Sequence, residues 1–129
     1  MVVFLILAIS MPALVNVLEE NEKSSSASVL EHEFSRFSDS VAKTHYSGLN
    51  STRTFSISIP MDCEVFVGGE GSDAYSIRGT YRGETVVTRY MEQPAVMLLS
   101  DVVLGPGQYD LVIKSVLHNG RGAVEVSLL

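Results

Sequence analysis

The feature that most constrains this chain is an uncharged apolar run at its start, Val2 to Leu18, reading Val-Val-Phe-Leu-Ile-Leu-Ala-Ile-Ser-Met-Pro-Ala-Leu-Val-Asn-Val-Leu. Its only polar side chains are Ser10 and Asn16. As a helix the run would be about 25 Å long, against about 30 Å for a bilayer hydrocarbon core. A core helix normally keeps a polar face, and this run has none. No Lys or Arg precedes it and no small-x-small cleavage site follows, which disfavours a removed signal peptide. Pro12 would cost about 3 kcal/mol inside a helix in water, and is better tolerated in a membrane helix. It predicts a kink between Ala8 and Pro12. The run therefore reads as a retained transmembrane or assembly helix, with Val2, Phe4, Leu5, Ile6, Leu7, Ile9, Pro12, Leu14, Val15 and Leu18 as its working side chains. The acidic flank Glu19-Glu20-Asn21-Glu22-Lys23 sets the expected topology: amino terminus inside, body outside, a single-pass signal-anchor with the membrane as partner.

The flank passes into Ser24-Ser25-Ser26-Ala27-Ser28, read as a short linker, a helix start, or part of one continuous helix. Ser28 and Glu31 have capping-box spacing. Leu30, Phe34, Phe37 and Val41 then recur at four, three and four residues, one face of an amphipathic helix reaching about His45. That stripe needs a cover, and packing against a β domain is the expected one. Gly48 is a natural helix stop. Asn50-Ser51-Thr52 is an N-glycosylation triplet in an expected loop, making Asn50 a glycan acceptor candidate.

From Arg53 the hydrophobic period changes to two. Phe55, Ile57 and Ile59 alternate with Thr54, Ser56 and Ser58, and Pro60 closes the strand. Further strands are expected over 64–67, 74–81, 84–90, 95–99, 108–117 and 123–129. Gly68 to Asp73 and Leu104 to Gly107 are turns, and Asn119-Gly120 marks a tight hairpin. The expected class is α+β: a long N-terminal helix, or two consecutive helices, then an antiparallel sandwich or meander of about seven strands. The divisions are 1–23, the hydrophobic helix with its acidic flank; 24–52, the amphipathic helix and linker; and 53–129, the β domain. With roughly 75 residues, that domain is marginal alone and should lean on the helix or on a neighbour.

Charge and motifs narrow the function. The 129 residues carry a formal net charge of -6, and Arg53, Arg78, Arg82, Arg89 and Arg121 are scattered. Nucleic acid wants a concentrated positive face, so it is not an expected partner. Cys63 is the single cysteine, which excludes an intramolecular disulfide. Flanked by Asp62 and Glu64, it reads as a small buried hydrophobe and not as a reactive thiol. Gly69-Glu70-Gly71-Ser72-Asp73-Ala74 can be forced into a dinucleotide fingerprint, but a strand follows where a helix is required, and the two acids would repel phosphate. A calcium site on Glu70 and Asp73 lacks the spacing of a known loop. His32, His45 and His118 lack metal-pair spacing, and no Gly-x-Ser-x-Gly occurs. Tyr75, Tyr81, Tyr90 and Tyr109 could line a sugar-binding face, or serve sheet packing. No catalytic residue, metal or cofactor is assigned, and a non-enzymatic protein is expected.

An uncharged apolar helix with a proline, an amphipathic continuation carrying Leu30, Phe34, Phe37 and Val41, and a small β domain from Phe55 to Leu129 together resemble archaeal type IV pilin-like proteins. The resemblance covers the whole chain in plan and rests on architecture. It implies that Val2 to Leu18 sits in the membrane before assembly and forms a filament core afterwards, with the β head outside. Self-association or other pilin-like subunits would be the partners. The family's pattern includes a basic leader with a processing site ahead of the apolar helix, which would be encoded upstream of Met1, and bacterial pilins carry a Glu near the helix start, where Val2 to Leu18 has none. The alternative expectation is a membrane-anchored extracellular binding module for carbohydrate or protein, working through loops such as Gly68 to Asp73.

Overall fold

The computed structural model describes residues 2–91, 95–100 and 102–129, with side chains described from Asn21 onward. A single helix, α1, runs Val2–Tyr46. At about 1.5 Å per residue it is about 67 Å long. The serine tract does not interrupt it: 24–28 is helical throughout, so Ser28 is an interior residue and not a cap, and the two-helix alternative is set aside. The reason is modest energetics. Serine is only about half a kcal/mol worse than alanine in a helix, while restarting a helix requires a new, costly nucleus. The helix ends where its last carbonyls find partners. The Lys43 carbonyl accepts from Ser47 N at 3.0 Å and Ser47 Oγ at 2.7 Å, and Gly48 turns the chain with φ 101°.

The transmembrane, signal-anchor and single-pass expectations are corrected, and with them the membrane as a partner. Among the described residues no helix is long and apolar enough to cross a membrane. From Glu22 onward α1 carries Glu22, Lys23, Glu31, Glu33, Arg36, Asp39 and Lys43, charges that a hydrocarbon core would not accept. The side chains of Val2 to Leu18, including the expected assembly residues, lie outside the described set.

Among the described residues eight strands follow: β1 (Thr52–Ile59), β2 (Cys63–Val67), β3 (Ser76–Tyr81), β4 (Glu84–Tyr90), β5 (Met97–Leu99), β6 (Val103–Leu104), β7 (Gly107–His118) and β8 (Arg121–Leu128). They form two four-stranded sheets, ordered β1-β7-β8-β5 and β4-β3-β2-β6. The fold is α+β as expected, but it is no meander: β1 pairs with β7, and β5 runs parallel to β8. Alternation of side chains fixes which face is buried and is silent on strand direction and partner. The two-residue β6 is too short to leave a pattern. A 3-10 turn, Gly71–Tyr75, takes the residues expected to begin the third strand.

The sheets and the helix share one apolar cluster. Phe55 and Ile57 of β1, Val65 of β2, Ile77 of β3, Leu111 and Ile113 of β7 and Val124 of β8 are all buried in it, together with Leu30, Phe34, Phe37 and Val41 of α1. Those four helix side chains are 0–1% exposed. At about 1.5–3 kcal/mol for each fully buried apolar side chain, they make α1 part of the core rather than an appendage. Phe37 meets Phe55 edge-on, with centroids 5.6 Å apart and planes at 73°. The Arg36 guanidinium lies 5.2 Å above the Phe55 ring. On the other sheet, α1 approaches Gly79 so closely that a Cβ there would lie 2.8 Å from Leu30 Cδ1 and 3.0 Å from Phe34 Cζ. The β3–β4 register also shifts at Gly79/Thr80. Farther along, the His45 ring covers Gly122 of β8, with Cε1 2.6 Å from where a Cβ would stand.

This seam sets three expectations for urea unfolding. Gly79→Ala should lose about 1–3 kcal/mol from overpacking against the helix. Gly105→Ala, where a Cβ meets nothing within 4 Å, should stay within about 0.5 kcal/mol of the parent. Phe34→Ala should cost about 3–5 kcal/mol through the cavity it leaves.

Candidate functional site

Beyond the helix seam, chemistry-bearing residues gather at the loops. The glycine-rich segment after β2 is held by one side chain. Arg78 Nη2 donates to the Gly68 carbonyl at 2.8 Å, and Nη1 donates to Ser76 Oγ at 2.8 Å and to the Asp73 carbonyl at 3.2 Å. The Asp73 carboxylate stands 3.7 Å from Nη1. The guanidinium thus engages the Gly68 and Asp73 carbonyls and the Asp73 carboxylate, oxygens that a calcium reading would use, and the loop is a clamped turn. Gly68 is required there: its φ is 71°, and a Cβ would sit 2.6 Å from the Leu98 carbonyl of β5. The segment is therefore pressed onto the edge of β5.

The four tyrosines do not share a face. Tyr81 is 7% exposed, and its Oη has no hydrogen-bond partner among the described residues. It lines a crevice of about 310 Å³ with Glu22, Ser25 and Ser26 of α1 and with Met61 and Asp62. Tyr109 Oη donates to the Pro106 carbonyl at 3.4 Å, and Tyr90 is exposed. Tyr75, closing the 3-10 turn, lines a larger cleft of about 570 Å³ with Ala95, Met97 and the tip of the β7–β8 hairpin. That tip supplies His118, Asn119 and Arg121. Asn119 and Gly120 have φ of 52° and 76°, the two successive positive values of a type I′ turn.

His32 and His118 are exposed on separate elements, and His45 packs on β8 with Nδ1 buried and without a hydrogen-bond partner among the described residues. Among the described residues no group of three or more His, Cys, Asp or Glu is placed to hold a metal ion. Asn50 sits in an exposed turn with φ 70°; its N–H donates to the Ser115 carbonyl at 2.8 Å, while Thr52 Oγ1 donates to its carbonyl at 3.4 Å. Cys63 is buried on β2, and burial chiefly pushes its thiol pKa up, assisted by the Asp62 charge and opposed by a hydrogen bond with Ser26.

Three of these features escaped the sequence reading. Gly79 had a usable signal, since a lone glycine inside a strand pattern marks a bulge or a close backbone approach. Arg78 had none, because its contacts are local but depend on the fold of the loop from Gly68 to Ser76, and the Tyr75–Arg121 cleft had none, because its walls come from distant parts of the chain. The chain matches no family model, no curated protein and no solved structure.

Cys63 yields a measurable consequence. A thiol held neutral by burial favours the folded state while the unfolded thiol is also protonated, up to about pH 8.5. As pH rises above that, the unfolded chain ionises first and the advantage is lost. The stability gap between the parent and Cys63→Ala should therefore narrow from pH 7 to pH 10 in urea titrations. The native thiol should react with a disulfide reagent far more slowly than the urea-unfolded chain.

Proposed function

We propose that this protein is a non-enzymatic assembling subunit, pilin-like in plan, in which the first part of α1 associates with other copies and the β body forms the head. The observation that carries this reading is the single helix Val2–Tyr46. Its stretch from Leu30 to Val41 is committed to the core of the body, and the sequence ahead of it, Val2 to Leu18, is uncharged. A helix of about 67 Å exceeds the roughly 30 Å breadth expected for a body of this size. Apolar surface on a helix in water is covered at least cost by other apolar helices, and burial there is favourable in proportion to area. The two sheets sharing one core support a sandwich-like reading of the head.

Charges placed in the run test this without touching the body. Full-length protein should sediment as oligomers or filaments and show them by negative-stain electron microscopy. Leu5→Asp with Ile9→Asp should disperse them to monomers while leaving the urea midpoint of the body unchanged. A parent chain that remains monomeric over all accessible concentrations would refute the assembly reading.

A further inference from the structure

We infer that the cleft between the β7–β8 hairpin tip and Tyr75 is a binding site for a carboxylate-bearing saccharide. This inference rests on the body acting as a binding module and is independent of assembly through α1. The cleft, about 570 Å³, falls within the usual size range of small-ligand sites. Its floor is apolar, from Met97 and the buried Ala123, and Tyr75 stands half-buried in its wall. A sugar ring needs such a surface for its C–H face. Its polar lining is the Arg121 guanidinium, the Asn119 amide and the His118 imidazole, with Asn119 Nδ2 3.4 Å from His118 Nε2. His118 and Arg121 are direct cross-strand partners, so they stand on the same side of the hairpin.

Arg121 forms no ion pair among the described residues, and no described carboxylate lines the cleft. Arg121 is exposed and shares the cleft lining with Tyr75. A planar carboxylate matches the fork geometry of its guanidinium. The scaffold is pre-set. The two positive φ values fix the hairpin tip, and the Tyr75 carbonyl accepts from Met91 N at 2.7 Å.

The test is calorimetric titration of the full chain with a tetramer of galacturonic acid, and with the matching galactose tetramer as the neutral control. The acidic oligomer should bind, and the neutral one at least about ten-fold more weakly. Arg121→Gln should remove most of that preference, and Tyr75→Ala should weaken binding by about ten-fold, each with an unchanged melting midpoint. The Leu5→Asp, Ile9→Asp variant should bind like the parent, which separates this outcome from failure of assembly. Equal binding of the two oligomers, no binding of the acidic one, or unaltered binding by Arg121→Gln would overturn the assignment. So would stronger binding of a short peptide through its free C-terminal carboxylate.

Discussion

The structure depends on one seam, where the Leu30–Phe34–Phe37–Val41 face of α1 lies against both sheets. Roughly 75 residues of β structure bury too little apolar surface to be comfortable alone. The helix supplies four fully buried side chains to their core. It touches one sheet at Gly79 and the other at Phe55 and Gly122, so a single element ties both together. The ion pair at its edge, Lys23 Nζ to Glu84 at 2.9 Å, is solvent-exposed and adds little beside this packing. Glycine at position 79 is what lets the helix come close, and any side chain there would have to displace an aromatic ring or a leucine.

Because the same helix continues back to Val2 without a break, the seam also sets the direction of everything ahead of it. A flexible serine linker would have uncoupled the apolar run from the body. The continuity of α1 joins the apolar run to the body as one element. It follows from helix cooperativity: serines inside an already nucleated helix cost tenths of a kcal/mol each, which flanking turns absorb.

The opposite end of the body is organised by loops on a rigid scaffold. Arg78 converts a glycine-rich segment into a fixed wall against β5, and the type I′ hairpin presents its side chains on a short, twisted tip. Both devices use backbone geometry to place polar groups where sheets cannot. Loops of this kind, held by a packed core, are where recognition is usually built.

Periodicity alone determined the element types here. The four-three-four spacing of Leu30, Phe34, Phe37 and Val41 demands a helix, and the alternation of Phe55, Ile57 and Ile59 demands a strand, because side-chain direction repeats every 3.6 or every two residues. Asn119-Gly120 announced its hairpin through the positive φ that both positions require. Pairing was beyond such local signals. That β1 joins β7, that β5 runs parallel to β8, and that eight strands divide into two sheets depend on contacts between residues far apart in sequence. The opening run shows the same division. Its composition read as a membrane anchor, yet its continuity with a charged, body-bound helix was a tertiary outcome. The sequence by itself determined an apolar start, an amphipathic continuation and a β-rich remainder, since these follow from residue spacing. That the helix stripe would pack on the β-rich part was legible too; only the tertiary structure decided which residues receive it, because Gly79 meets Phe34 from a strand far away in sequence.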